Sequence, residues 1–221
     1  RGLGFSSPFH LFTGPTALVP PIFTWLVATV FRLFGIYTVS SAIAILSINS
    51  LFSALTCIPL YFSTRYAFGI KTATLAAWGW AFYPFAIYFS AVRVWDYALT
   101  GFLFTTCFCF GQRLHLQRRP LTWLAFGILY GVAALSNPSI LSMFPVFLVL
   151  AALALRRHRE RWLGHALIAV FGVIAVLMPW SIRNYRTLHV MDPVRDNFWL
   201  ESWAGNDGNT FESNDRWAHP A

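Results

Sequence analysis

Of the 221 residues in this chain, 57% are hydrophobic and only 11% charged, against roughly 25% charged in an ordinary soluble domain, so the composition belongs to a bilayer. The formal charge of +8 does not point to a nucleic-acid partner, because nine of the sixteen cations lie in three short loops: Arg65 and Lys71; Arg113, Arg118 and Arg119; Arg156, Arg157, Arg159 and Arg161. Apart from Glu160, the acids avoid those loops and fall in the alternate gaps at Asp96, Asp192, Asp196, Glu201, Asp207, Glu212 and Asp215, the sorting that the positive-inside bias writes into a polytopic membrane protein.

The chain opens at Arg1 on GLGFSSPFHLFTGPTALVPP, which is rich in Gly, Pro, Ser and Thr and has no acid. Such content implies a fixed, irregular path over the membrane surface. No cationic segment followed by a short apolar core marks a signal peptide, and the sequence reads as an internal piece of a longer membrane protein. The Pro20-Pro21 pair then opens an amphipathic stretch from Pro21 to Phe34. With one apolar side and Arg32 able to snorkel to the headgroups, it is expected to lie along the interface; a seventh, poorly formed span is the alternative.

Crossing about 30 Å of hydrocarbon takes roughly 17 to 25 mostly apolar residues. Thr38 to Phe62, Thr72 to Ser90 and Leu163 to Trp180 meet that length, while Tyr97 to Gly111 needs Trp95 and Gln112 at its edges. Pro120 to Leu155 carries no formal charge and is too long for one crossing; arginines at both ends require an even number of passes, and Asn137-Pro138 supplies the break. The expectation is an all-α polytopic bundle of about six spans plus the interfacial helix. Residues 1–37 form an outer loop with that helix, 38–180 the bundle, and 181–221 the start of an outer C-terminal segment. Trp95 and Trp180 at outer boundaries, and Trp123 and Trp162 at inner ones, read as interfacial anchors. Gly127 and Gly131 form a G-x-x-x-G step for close helix packing, and Asn49 is placed to bond across to another helix. Cys57, Cys107 and Cys109 fall inside apolar runs and read as packing thiols.

No ionisable side chain lies at the middle of a span, which leaves no mark of a proton relay or midplane ion site. Reactive groups gather on the outer face. Asp96, with Arg93 three residues before it, is the only acid between helices there. It can take a proton from an acceptor, or it can cap the helix that starts at Tyr97. After Trp180 come Arg183 and Arg186, suited to a lipid phosphate or to ordinary headgroup contact. Arg195, Asp196, Asn197, Glu201 and Asn206 are interleaved with Phe198, Trp199 and Trp203, a mixture suited to gripping a sugar, or equally the first turn of a folded outer domain.

Several stretches together resemble the bacterial family 39 membrane glycosyltransferases, GT-C enzymes related to protein O-mannosyltransferases and the aminoarabinose lipid A transferase. They are G-x-G-F-S-S-P-F and G-P-T-A-x-x-P-P at the start, F-R-L-F-G at Phe31 to Gly35, N-S-L-F-S-A-L-T at Asn49 to Thr56, W-D-Y-A-L at Trp95 to Leu99, Asn137-Pro138, and P-W-S-I-R-N-Y at Pro179 to Tyr185. The resemblance covers nearly the whole chain. It implies a multi-pass GT-C bundle in the bacterial cytoplasmic membrane with catalytic loops on the outer side. Such an enzyme takes a sugar from a polyprenyl-phosphate carrier and hands it to a protein, lipid or glycan acceptor. The partners are that donor, the acceptor and the bilayer, with no nucleic acid. The family's principal acid lies before Gly2 and is expected to be missing from this sequence. Asp96 matches a further acidic position and is the catalytic candidate; Arg93, Asn137, Arg183, Asn184, Arg186, Arg195 and Asp196 are candidates for substrate binding. The sequence marks no cofactor with certainty, and dependence on a divalent metal leaves no readable trace. Competing readings are a lipid or solute transporter or flippase, and a noncatalytic membrane scaffold.

Overall fold

Proline and glycine set the helix boundaries. The computed structural model of the chain describes residues 5, 14–157, 162–189, 194 and 195. The opening G-x-G-F-S-S-P-F motif apart from Phe5, residues 159–161 of the third basic loop, Asp196 and the aromatic cluster beyond it lie outside the described residues. Contacts divide the chain into two compact units, Pro20–Trp180 and Arg1–Val19 with Ser181–Ala221.

In the larger unit, α1 (Pro21–Phe34) starts on a proline at its first position, where a missing N–H costs nothing, and stops at Gly35 with φ 90°. Pro21, Phe23 and Val30 are buried on its inner face against α2 and α7, and Arg32 is exposed. The amphipathic helix thus has the boundaries its sequence predicts. Thr38 caps α2 (Val39–Leu55) by accepting from the Ser41 N–H. The helix runs on through Thr56 into α3 (Cys57–Phe68), giving one apolar element of 30 residues. Pro59 cannot donate to the Leu55 carbonyl, which is why the two stretches separate at Thr56.

The expected span Thr72 to Ser90 is bent. Pro84 forces Tyr83 into extended backbone, so that α4 (Ile70–Ala81) and α5 (Pro84–Val92) meet at 43°. There follow α6 (Tyr97–Gly111), a 3₁₀ turn at Leu114–Leu116, and α7 (Pro120–Ser136). Asn137 is extended, as the Asn-Pro break requires, and a second 3₁₀ turn at Pro138–Met143 leads into α8 (Phe144–Arg157). The last helix, α9 (Trp162–Leu188), does not stop at Trp180 as expected. Pro179 removes only one backbone bond, and the residues after it carry no second proline or glycine to end the helix.

Three elements, Val39–Phe68, Pro138–Arg156 and Trp162–Leu188, are long and apolar enough to cross a membrane, and the bent α4–α5 pair makes a fourth. Helices α1, α6 and α7 are apolar but shorter. Only 22 to 28% of the spanning windows is buried inside the protein, and large apolar side chains such as Leu75, Leu121 and Phe171 face outward. This is an all-α membrane bundle.

Because lipid tails are as apolar as leucine, helices in a bilayer gain from close packing rather than from exclusion of water. Helix α7 supplies that packing. Its Trp123, Phe126 and Tyr130 are fully buried among α6, α8 and α9, and its glycines bring it backbone to backbone with α9. A Cβ at Gly127 would stand 2.0 Å from the Ala169 carbonyl oxygen, one at Gly131 2.7 Å from Val176 Cβ, and one at Gly172 2.9 Å from the Leu124 carbonyl oxygen. The G-x-x-x-G step is therefore a packing seam. Two of the expected interfacial tryptophans are instead interior. Trp123 is 0% exposed, its indole N–H donates to the Gln117 carbonyl at 2.8 Å, and its ring faces His165. Trp180 is buried edge-on to Trp25 at 6.0 Å. In each case a gap between helices large enough for an indole is filled by it. Trp95 is exposed. Of the thiols, Cys107 is buried, Cys57 and Cys109 are half-buried, and all are free.

Gly127→Ala should lower stability by about 1–3 kcal/mol, because the methyl has nowhere to go without parting α7 from α9. Gly101→Ala, in a helix interior with open space around it, should be neutral or stabilising by up to about 1 kcal/mol. Thermal unfolding midpoints in detergent micelles compare the two.

Candidate active site

Asp96 occupies the cap position of α6, yet its carboxylate makes no capping bond to the helix backbone. Its Oδ2 accepts from the Thr100 hydroxyl at 3.1 Å. Thr100 Oγ1 also lies 3.3 Å from Ser136 Oγ, the last residue of α7. Since Thr100 has one hydroxyl proton and gives it to Asp96, Ser136 is the donor in the second bond. Two hydroxyls thus line up, Ser136 toward Thr100 and Thr100 toward a half-buried carboxylate. The capping role open to Asp96 in the sequence is not the one its side chain takes.

Asn137 follows Ser136 directly, half-buried, and its Oδ1 accepts from the Ser139 N–H to start the 3₁₀ turn. Arg93 has an exposed side chain; what it brings to the site is its carbonyl, which accepts from Asn49 Nδ2 at 3.2 Å and from the Trp95 N–H at 3.1 Å. Asn49 Nδ2 also donates to the Trp95 carbonyl at 3.3 Å. The amide that the sequence suggests should bond to another helix bonds instead to the connection that carries Asp96. On either side of Asp96, the exposed rings of Trp95 and Tyr97 stack at 6.2 Å, and Phe89 meets Tyr97 edge-on at 5.4 Å. Asp96 therefore sits at an aromatic edge with its Oδ2 held by Thr100 of α6, which in turn meets Ser136 of α7.

The other candidates belong to the smaller unit. Arg183 donates to the carbonyls of Thr16 at 3.0 Å and Phe5 at 3.3 Å and to Asn184 Oδ1 at 3.0 Å, while its guanidinium lies 5.4 Å over the Phe5 ring. Arg195 Nε donates to the Leu18 carbonyl at 3.1 Å. These arginines satisfy the carbonyls of Phe5, Thr16 and Leu18 in the N-terminal loop. Asn184 is fully buried and Arg186 is exposed. Among the described residues, no three His, Cys, Asp or Glu side chains converge as a metal site.

Residues 18–182 match the model of the family described as dolichyl-phosphate-mannose-protein mannosyltransferase. The chain belongs to that family. Comparison with curated proteins and with solved structures gives no match. The dolichyl-phosphate-mannose-protein mannosyltransferase family places this bundle among the GT-C membrane glycosyltransferases, which draw on polyprenyl-phosphate-linked sugars. Its match takes in Arg93, Asp96 and Asn137 and ends just before Arg183.

Thr100, Ser136 and Asn49 are absent from the sequence-derived candidates. Thr100 stands four residues after Asp96, one helical turn on, and that spacing was the available sign. Ser136 lies 36 residues from Thr100, and nothing local marks the pairing.

Arg183→Lys keeps the charge but loses the planar fork and its stacking on Phe5. The Thr16 amide, which donates to the Phe5 carbonyl at 2.9 Å, should then exchange with solvent deuterium about tenfold faster or more, while the amides of α7 keep their protection. Exchange read by mass spectrometry distinguishes the two segments.

Proposed function

We propose that the protein transfers a sugar from a polyprenyl-phosphate carrier to an acceptor at the outer face of the bacterial cytoplasmic membrane, as a GT-C enzyme of the family 39 kind. The observation that carries this reading is the Asp96 carboxylate. It is not engaged in capping its helix, it receives a hydroxyl donor from Thr100, and exposed aromatic rings flank it. A positioned carboxylate beside aromatic faces suits a sugar acceptor, which offers hydroxyl protons and apolar ring faces. The sorting of cations into alternate loops supports an outer placement for this end of the bundle.

In the proposed reaction, an acceptor oxygen attacks the anomeric carbon of the donor sugar. The new carbon–oxygen bond forms as the bond from that carbon to the carrier phosphate breaks, and the acceptor's proton passes to Asp96. The leaving phosphate keeps its lipid tail in the bilayer. Arg93 and Asn137 complete the site around Asp96 in this reading; Arg186 and Asp196 are further candidates for contact with the donor, a cation offsetting charge on its phosphate. Asn184 is buried beside Arg183, and Arg183 and Arg195 hold the backbone of the N-terminal loop.

Membranes containing the full-length protein, supplied with labelled polyprenyl-phosphate sugars, test the assignment. Asp96→Asn should lower transfer by about 10²- to 10⁴-fold, the usual contribution of a positioned base. Thr100→Val, nearly isosteric, should cost about tenfold through loss of one donor to the carboxylate. Undiminished transfer by Asp96→Asn removes Asp96 from the site, and no transfer by the unaltered protein sinks the proposed function.

A further inference from the structure

We infer that Asn49 is a positioning residue that docks the Asp96-bearing connection against α2, a role that rests on the function proposed above for its catalytic meaning but not for its structural one. Helix α5 ends at Val92 and α6 begins at Tyr97, so the carbonyls of Arg93 and Trp95 lie in a connection outside either helix. In lipid such groups must be satisfied from within the protein or drawn out to water. Asn49 supplies the donor. Its single Nδ2 group bridges the Arg93 and Trp95 carbonyls at 3.2 and 3.3 Å, and the side chain is 1% exposed.

The position of that bridge sets where Asp96 lies. Asn49 is ten residues beyond the start of α2, about 15 Å at 1.5 Å per residue, on a helix that continues to Phe68. The connection is thereby held about a third of the way along this 30-residue element rather than level with its end. Farther along the pair, Ser63 Oγ donates to Gln112 Oε1 at 2.7 Å, so α6 runs beside α2 and then α3. The carboxylate and its Thr100 donor, at the start of α6, take their height from the bridge.

A second observation separates this role from helix glue. Asn49 Oδ1 is buried with no hydrogen-bond partner. An amide kept only for packing would be better replaced by leucine, which carries no unpaired acceptor. What asparagine adds at this place is the pair of donors to the connection, and the orphaned oxygen is the cost of having them.

The test reads the connection directly. In the full chain carrying Val94→Cys, the rate of labelling by a membrane-impermeant maleimide is measured above the background from the three native cysteines. Adding Asn49→Leu or Asn49→Ser should raise the rate at position 94 about tenfold, since the carbonyls at 93 and 95 then seek water. Trp80→Phe is the control. It removes the Trp80 Nε1 bond to the Ser53 carbonyl, 2.9 Å long and one turn farther along α2, and should leave the rate at position 94 unchanged. Unaltered labelling in both Asn49 variants, or an equal rise with Trp80→Phe, overturns the inference. In the transfer assay, Asn49→Leu should lower kcat about tenfold or more with KM for the lipid donor little changed, because the base is misplaced while the donor still binds. Equal loss in kcat and Trp80→Phe activity would assign Asn49 to general stability instead. If the unaltered protein transfers no sugar, the proposed function fails, and the labelling comparison still decides the placement of the connection.

Discussion

Everything in this bundle depends on one constraint: a polar atom inside the bilayer must find its partner within the protein. Apart from Asn49 Oδ1 and the Tyr130 hydroxyl, buried without a partner, the described interior obeys it with specific pairs. Trp123 reaches the Gln117 carbonyl, Ser63 meets Gln112, Trp80 meets the Ser53 carbonyl, and Thr56 bonds back to Phe52 in its own helix. Each pair either ties one element to another or satisfies a break in a helix. Where the chain must leave helical structure, between α5 and α6, the same constraint recruits Asn49. Polarity in this protein is therefore a map of its irregular points, and Asp96 sits at one of them.

The second source of order is the seam between α7 and α9. Without a solvent to drive the helices together, their approach is set by how small the facing residues are. Gly127 and Gly131 on one side, with Ala169 and Gly172 on the other, let main chain meet main chain. The large rings of α7 then fill the space toward α6 and α8, where Phe126 and Tyr130 meet Phe144 and Phe147. One helix has two dissimilar sides, and both are needed.

Much of this could be read from the residues because its causes are local. Pro20-Pro21 and Gly35 bound α1, Asn137-Pro138 breaks the long uncharged run, and the glycine step announces a close contact. Hydropathy alone passed over the bend at Pro84, since an apolar run looks the same whether straight or broken. It also passed over the continuation of α9 to Leu188, where the residues turn polar while remaining good helix formers. Tryptophans 123 and 180 were misread as anchors because the same amphipathic ring suits an interface and a gap between helices. At the site, Asp96 was visible as a lone acid between apolar runs. Its partners were not, because Asn49 and Ser136 reach it through folding, across separations that carry no spacing rule.

The geometry of α7 joins the seam to the site. Gly127 faces α9, and Ser136, nine residues later, faces Thr100 on α6. Nine residues are about two and a half turns, so the two lie on opposite sides of the same cylinder. Helix α7 is thus keyed in rotation: its back is locked on α9 and its front carries the hydroxyl. Adding or removing a single residue between Gly127 and Ser136 would swing that hydroxyl by about 100°, whereas the same change beyond Asn137 would leave its bearing untouched. The count of residues in this segment is fixed by angle, independently of which side chains fill it.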